Sequence, residues 1–367
     1  MSKIEDLIKE YCPDGVEYKK LDAVTTYERP DKYSVKSTAY DDAYETPVLT
    51  AGKTFILGYT NETDGIYQAS KQSPVIIFDD FLAVCKWVDF PFKVKSSAMK
   101  FIHAATGINV RYLFYAMECI DYVPVDHARQ WIATYSQFEI PVPPLPVQQE
   151  IVRILDSFTA LQDELQKELE ERSRQYKTVT NAIFVKYAEA SKKTLADISE
   201  NCDSARKPIT ASKRVAGKTP YYGASGIVDY VSGFTHEGDY LLISEDGANL
   251  TARTMPIAFS IRGKNWVNNH AHVLKFQNYA VQKYVETYIN THDISEFITG
   301  AAQPKLNQQN LYKIEIPIPD VDDVVQASDI FQLLEALRNQ IELEFSLRQQ
   351  QYTYYRDKLL SFPRKEA

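Results

Sequence analysis

Four short motifs carry residue types that catalysis could use, and each fails on spacing. Asp89-Phe-Pro-Phe92 has the letters of an Asp/Asn-Pro-Pro-aromatic loop of amino-methyltransferases. Its second position is Phe instead of Pro, and no glycine-rich cofactor loop follows a strand nearby. Pro13-Asp14 with Glu17-Tyr-Lys19 has the acids and lysine of a metal-dependent nuclease. Two intervening residues are too few to bring a hairpin's carboxylates around one ion, so the segment reads as a turn. Gly52-Lys53-Thr54 and Gly217-Lys218-Thr219 resemble the end of a phosphate loop, but the upstream glycines are missing. His270-Ala-His272 would place two imidazoles on one face of a strand, a possible metal pair. Ser97 and Met99 are read as their counterparts in the first half of the chain, so no common metal site is expected. No catalytic constellation survives.

Positive charge is a different matter. The formal net charge is −8, which argues against indiscriminate binding to nucleic acid. The average hides clusters. Arg206, Lys207, Lys213, Arg214 and Lys218 fall within 13 residues with no acid among them. Arg253, Arg262, Lys264, Lys275 and Lys283 lie in a second acid-free stretch. In the first half, Lys86, Lys93, Lys95, Lys100 and Arg111 share their segment with Asp89 alone. Such clusters can build a local phosphate footprint on an acidic molecule. The competing reading of any one cluster is a solvated face.

The elements that must position these residues are duplicated. Ile140-Pro-Val-Pro143 returns as Ile316-Pro-Ile-Pro319, 176 residues on, and a long helical pattern follows each copy. In the first copy large side chains fall at Ile151, Ile154, Phe158, Leu161, Leu165, Leu169, Arg172, Tyr176, Val179 and Ile183. At the same offset the second has Ala327, Ile330, Leu334, Leu337, Ile341, Phe345, Arg348, Tyr352, Tyr355 and Leu359. The 3-4 alternation is that of a coiled-coil seam, with one extra step of four at the same place in both. Upstream the repeat is fainter: Thr46-Pro47 corresponds to Thr219-Pro220, Val75–Asp80 to Leu241–Asp246, and Arg111-Tyr112 to Lys283-Tyr284. Short β-branched runs and glycine-bearing turns make each globular part α+β, with strands dominating. Pro74–Phe78 and Tyr240–Ile243 read as central strands, Asn109–Cys119 and Ala280–Thr291 as short helices. The expected layout is a first domain at 1–146, a helix at 147–190, a second domain at 191–319 and a second helix at 320–367. Two long helices with matching seams most simply form an antiparallel coiled coil with approximate two-fold symmetry, the domains at its opposite ends.

Composition sets the remaining bounds. A chain of 367 residues with 44% hydrophobic content has room for two or three packed domains. Its apolar runs fall far short of the roughly 20 residues that span a membrane, and the N-terminal stretch lacks the apolar core of a signal peptide. The cysteines Cys12, Cys85, Cys119 and Cys202 are scattered without metal-ligand spacing, which suits a reducing compartment. A cytoplasmic location is expected, with no membrane contact.

Several segments together resemble the specificity subunits of type I restriction–modification systems. They are Cys12–Tyr18, Thr46–Tyr59, Lys86–Met99, Tyr221–Tyr230, Gly247–Leu250, Trp266–His272 and Ala302–Asn307. The resemblance covers almost the whole chain. It implies two target-recognition domains, each reading one half of a bipartite site on double-stranded DNA. It also implies two conserved helices that space the domains and hold two methyltransferase subunits. Methylation, translocation and cleavage would belong to those and to the restriction subunits, along with S-adenosylmethionine, ATP and magnesium; this chain would carry no cofactor and no catalytic residue. From charge and position, Lys93, Lys95, Lys100, Arg206, Lys207, Lys213, Arg214, Lys218, Arg253, Arg262 and Lys264 are candidates for phosphates or base edges. Asn268, Asn269 and His270 are candidates for hydrogen bonds to bases. The competing functions are a coiled-coil scaffold that binds only proteins and a methyltransferase with its own recognition domain. The first leaves two diverged basic domains unexplained, and the second lacks its cofactor loop.

Overall fold

The computed structural model describes residues 3–126 and 128–366, so Met1 and Ser2 of the N-terminal stretch lie outside it. Two compact units divide the chain, Met1–Glu164 with Phe345–Ala367, and Leu165–Glu344. Each unit therefore holds one globular part and a portion of both long helices.

The first unit begins with a helix α1 (Lys3–Tyr11), a strand β1 (Glu17–Lys20), a single helical turn α2 (Leu21–Val24) and β2 (Thr25–Glu28). A hairpin follows, β3 (Thr46–Leu49) and β4 (Ile56–Thr60). Next come β5 (Val75–Asp79), β6 (Val84–Val88), β7 (Lys93–Val94), β8 (Met99–Ala104), the helix α3 (Val110–Glu118) and β9 (Glu139–Val142). They form a four-stranded antiparallel sheet in the order β2-β8-β5-β6, a small sheet β4-β3-β7 and the pair β1-β9. Every residue of β5 is buried, because Val75-Ile-Ile-Phe78 packs both faces of the larger sheet. One face meets a core that includes Leu113, Tyr135 and Ile151, the other a core around Val94 and Phe92. Asn109 caps α3, its Oδ1 accepting from the N–H groups of Arg111 (2.9 Å) and Tyr112 (3.1 Å).

The long helix α4 (Leu145–Lys186) leads into the second unit. There the order recurs: β10 (Lys192–Thr194), α5 (Leu195–Ile198), β11 (Ser199–Asn201), the hairpin β12 (Ala216–Gly223) and β13 (Gly226–Val231), β14 (His236–Glu237) and β15 (Tyr240–Ser244). The short α6 (Asn249–Ala252), β16 (Ala258–Ile261), β17 (Lys264–Val267), β18 (Ala271–Phe276) and α7 (Tyr279–Thr291) come next. The chain closes with α8 (Gln308–Tyr312), β19 (Glu315–Pro317) and the long α9 (Val321–Leu359). The sheets are β11-β18-β15-β16, β13-β12-β17-β14 and β10-β19, the first unit's arrangement with one strand added.

Individual bonds repeat as well. Tyr112 donates to the carbonyl of Pro141 at 2.9 Å, and Tyr284 to that of Pro317 at 3.1 Å. The N–H of Leu21 bonds the carbonyl of Phe138, and that of Leu195 the carbonyl of Ile314. Thr25 and Ser199 each close a helical turn onto the leucine four residues back, at 2.6 Å. Buried scaffolding is thus common to the two domains.

Within each unit the long helices run antiparallel. In the first, Phe158 stacks on Tyr355 with centroids 5.4 Å apart, and Gln162 donates to the carbonyl of Arg348. In the second, Arg338 lies over Tyr176 and Phe184 packs on Phe331. The seam residues all lie on the covered side: Leu165 and Ile341 are buried, and Ile154, Phe158, Leu161, Leu169, Ile330, Leu334, Leu337 and Phe345 are half-buried. Leu155, Phe184, Val324 and Phe331 add a second buried stripe toward the helix ends, where the helices join the domain cores.

Candidate nucleic-acid interface

Five of the cations expected to meet DNA already have partners within their own domain. Lys93 is 1% exposed, its ammonium 2.9 Å from Glu62 and 2.6 Å from the carbonyl of Asp64. The Lys93 ammonium and the Ser37 N–H hold the Glu62 carboxyl below its usual range. Lys100 is buried against the fully buried Asp80 at 2.8 Å, and the other oxygen of Asp80 accepts from the N–H of Trp131. Arg206 bridges Glu245 (2.6 Å) and Asp203 (3.2 Å) and donates to the carbonyl of Ala271. Arg253 sits at φ 50° and donates to the carbonyls of Ile289 and His292, tying the segment after α6 to the end of α7. Arg214 pairs with Asp229 and lies over the Tyr221 ring. Burial corrects the assignment of Lys93 and Lys100 as phosphate or base contacts, while Arg206, Arg253 and Arg214 are half-buried and bond within their own domain. Asn268 is also buried, its Oδ1 accepting from the N–H of His270 at 2.8 Å, so it shapes a turn and offers no edge to a base.

The exposed candidates are Lys95, Lys207, Lys213, Lys218, Arg262, Lys264, Asn269 and His270. Arg262 pairs with Asp239 and lies over Tyr279, and Lys264 lies over Phe234. Lys207 is fixed through its backbone, donating to Val267 and accepting from the Trp266 indole.

In each domain several loops meet around the turn of the hairpin. In the first unit, the N–H of Lys95 bonds the carbonyl of Leu49, and the N–H of Gly52 bonds Asp79 at 2.6 Å. The other oxygen of Asp79 accepts from the N–H groups of Phe81 and Leu82. Lys86 reaches within 5.9 Å of the Phe55 ring. Exposed Lys53, Lys86 and Lys95 therefore surround this turn; in sequence Lys53 stands only in an incomplete phosphate-loop motif and Lys86 in a basic cluster. In the second unit the N–H of Asn268 bonds the carbonyl of Tyr222, Ser244 donates to the carbonyl of Ala224, and His270 pairs with Asp246 at 2.8 Å. The hairpins also expose apolar pairs in the same register, Ile56-Leu57 and Ile227-Val228.

The two histidines do not face one centre. His270 stands on a turn beside Asp246, whereas His272 is buried on β18 between Asp203 (2.7 Å) and the carbonyl of Leu306 (2.8 Å). The N–H bonds from Asp80 to Ala98 and from Glu245 to His270 match Phe78 with Ile243, one residue off the sequence alignment of Val75–Asp80 with Leu241–Asp246. Strand register pairs Ile243 with His272 and Phe78 with Lys100, so the counterpart of His272 is Lys100, not Met99. Asp203, Glu245 and His272 lie close enough together to suit a metal ion. The Arg206 guanidinium already supplies the cation there, as Lys100 does beside Asp80, so the donor set fits an ionic lock in both domains. The enzyme-like motifs are structural: Phe92 is buried and stacks on Tyr67, Gly52-Lys53-Thr54 is a hairpin turn, and Gly217-Lys218-Thr219 lies in β12.

Two copies of a strand-rich domain share a buried frame, differ at their exposed ends and are joined by long helices. That defines a duplicated recognition protein. The chain matches the type I restriction modification DNA specificity domain over residues 13–172 and 188–350. The type I restriction enzyme EcoR124I/EcoR124II specificity subunit of Escherichia coli is 37% identical across all of this chain and 98% of its own length. A putative type I restriction enzyme specificity subunit of Haemophilus influenzae is 36% identical over 47% of each chain. The type I restriction-modification S subunit of M. genitalium shares the fold, with a TM-score of 0.67 over 94% of this chain and 96% of that one at 14% identity. The chain belongs to the type I restriction–modification specificity subunits: it is a DNA-binding, non-catalytic component with two target-recognition domains. No helix among the described residues is long and apolar enough to cross a membrane.

Proposed function

We propose that each domain reads one half of a bipartite site on duplex DNA through the loops around its hairpin turn. The long helices set the gap between the halves. They also dock two methyltransferase subunits, through which the restriction–translocase subunits join. S-adenosylmethionine, ATP and magnesium act in those partners, in the cytoplasm. The observation that carries this reading is the split between frame and surface. The Tyr112–Pro141 and Tyr284–Pro317 bonds are kept in both domains, while the exposed turns beside the hairpins differ in residue type and length. A shared frame with divergent ends is what two readers of different sequences require. The exposed Leu347 and Tyr354, seven residues apart on α9, give a partner helix an apolar foothold.

The test is domain exchange in the complex assembled with its methyltransferase subunits. Replacing residues 1–140 by those of a relative should change one half of the methylated motif and leave the other intact. Simultaneous change of both halves would refute separate readers.

A further inference from the structure

The segment joining β7 to β8, Lys95–Ala98, and the one joining β17 to β18, Asn268–His270, occupy one place in the two domains. Both begin with an N–H bonded to a carbonyl at the end of the first hairpin strand, Leu49 (the last residue of β3) in the first and Tyr222 (the last but one of β12) in the second. Both end on a carbonyl that accepts from the central sheet: the N–H of Asp80 bonds Ala98, and that of Glu245 bonds His270. Each is tightened by an internal side-chain bond, Ala98 N–H to Ser96 Oγ at 3.1 Å and His270 N–H to Asn268 Oδ1 at 2.8 Å. The backbone is thus held at both ends and in the middle. A rigid support of this kind is what side chains that discriminate bases need.

The side chains on this support differ. Lys95 and Ser97 are exposed in the first domain, Asn269 and His270 in the second, and the first turn is one residue longer. Their flanks are buried in both domains, at Val94 and Met99 and at Val267 and Ala271. In the first domain Lys53 and Lys86 stand nearby, placed to take phosphates. In the second, His270 opens onto a concavity of about 420 Å³ with Asp246, Gln303 and Lys305.

Resting on the proposed DNA-reading function, we infer that these two turns are the base-reading elements. Lys95 contacts a guanine in the first half-site, and Asn269 an adenine in the second. The chemistry follows from the major-groove code. An ammonium fits the paired acceptors O6 and N7 of guanine, and an amide matches the donor and acceptor of adenine N6 and N7. His270 is a positioning neighbour, its Nδ1 held by Asp246.

The experiment uses the complete chain with its methyltransferase subunits, a library randomised across both half-sites, and sequencing of the methylated products. Lys95→Ala should relax a guanine requirement at one position of one half-site, by about tenfold or more. Asn269→Ala should relax an adenine requirement in the other half-site alone. Lys53→Ala is the comparison variant and should lower methylation of all sequences alike. The assignment is overturned if Lys95→Ala and Asn269→Ala leave base preferences unchanged, or weaken every sequence alike. Such a result, alongside a domain exchange that still switches one half-site, would remove only the turns and leave the two-reader function standing. Failure of the exchange itself would remove both.

Discussion

At the scale of single residues, burial decides which cations can serve DNA. An ammonium that is 1% exposed and bonded to a carboxylate, as Lys93 is to Glu62, cannot reach a phosphate without breaking its own domain. The Lys100–Asp80 pair poses the same test more sharply, because Asp80 is fully buried. Removing one member of a buried pair leaves the other desolvated and uncompensated, at a cost of about 3–5 kcal/mol. Lys100→Ala should therefore lower the urea midpoint of unfolding. Replacing both partners, with Lys100→Met and Asp80→Asn, should recover part of the loss. The salt dependence of DNA binding by the assembled complex should keep its slope, since no phosphate contact has gone. A flattened slope with normal stability would restore Lys100 to the DNA interface. Sequence could not show this, since the acids that neutralise Lys93 and Lys100 lie 31 and 20 residues away and meet them only in the folded domain.

At the scale of elements, periodicity made the helices legible and turn chemistry hid the rest. A 3-4 repeat sustained through Leu165 and Ile341 states its buried face directly, and the all-apolar run in β5 reads as a central strand. The stripe of Leu155, Phe184, Val324 and Phe331 was not legible, because it faces the domains and breaks no period of its own. The helix α1 carries as little signal: of its nine residues only Ile4 is buried, and Lys3 ties it to Glu150 on α4. The β7–β8 turn is one residue longer than the β17–β18 turn, so a constant sequence offset pairs His272 with Met99 in place of Lys100. Buried seam positions should be costly to truncate. Leu165→Ala or Ile341→Ala should each lose about 2–5 kcal/mol in urea unfolding. Leu347→Ala, on the exposed side of α9, should fall well below that range in the same measurement.

At the scale of the whole molecule, the duplicated sequence turns recognition into a question of distance as well as of bases. Each domain supplies a reader, and the proposed function leaves the gap between half-sites to the helices. Helical rise sets the size of the effect: four residues added to an α-helix lengthen it by about 6 Å. Duplex DNA rises about 3.4 Å per base pair, so that increment approaches two base pairs. Inserting four residues after Leu165 should lengthen the preferred spacer by one or two base pairs, with both half-site sequences kept. A three-residue insertion should be tolerated less well. It adds a stammer where the seam carries a stutter of the opposite sense, and the local supercoil must absorb both. The measurement is methylation of a library with fixed half-sites and randomised spacer length. A spacer preference unmoved by the four-residue insertion would assign the distance to the partner subunits and leave the helices as their docking site alone.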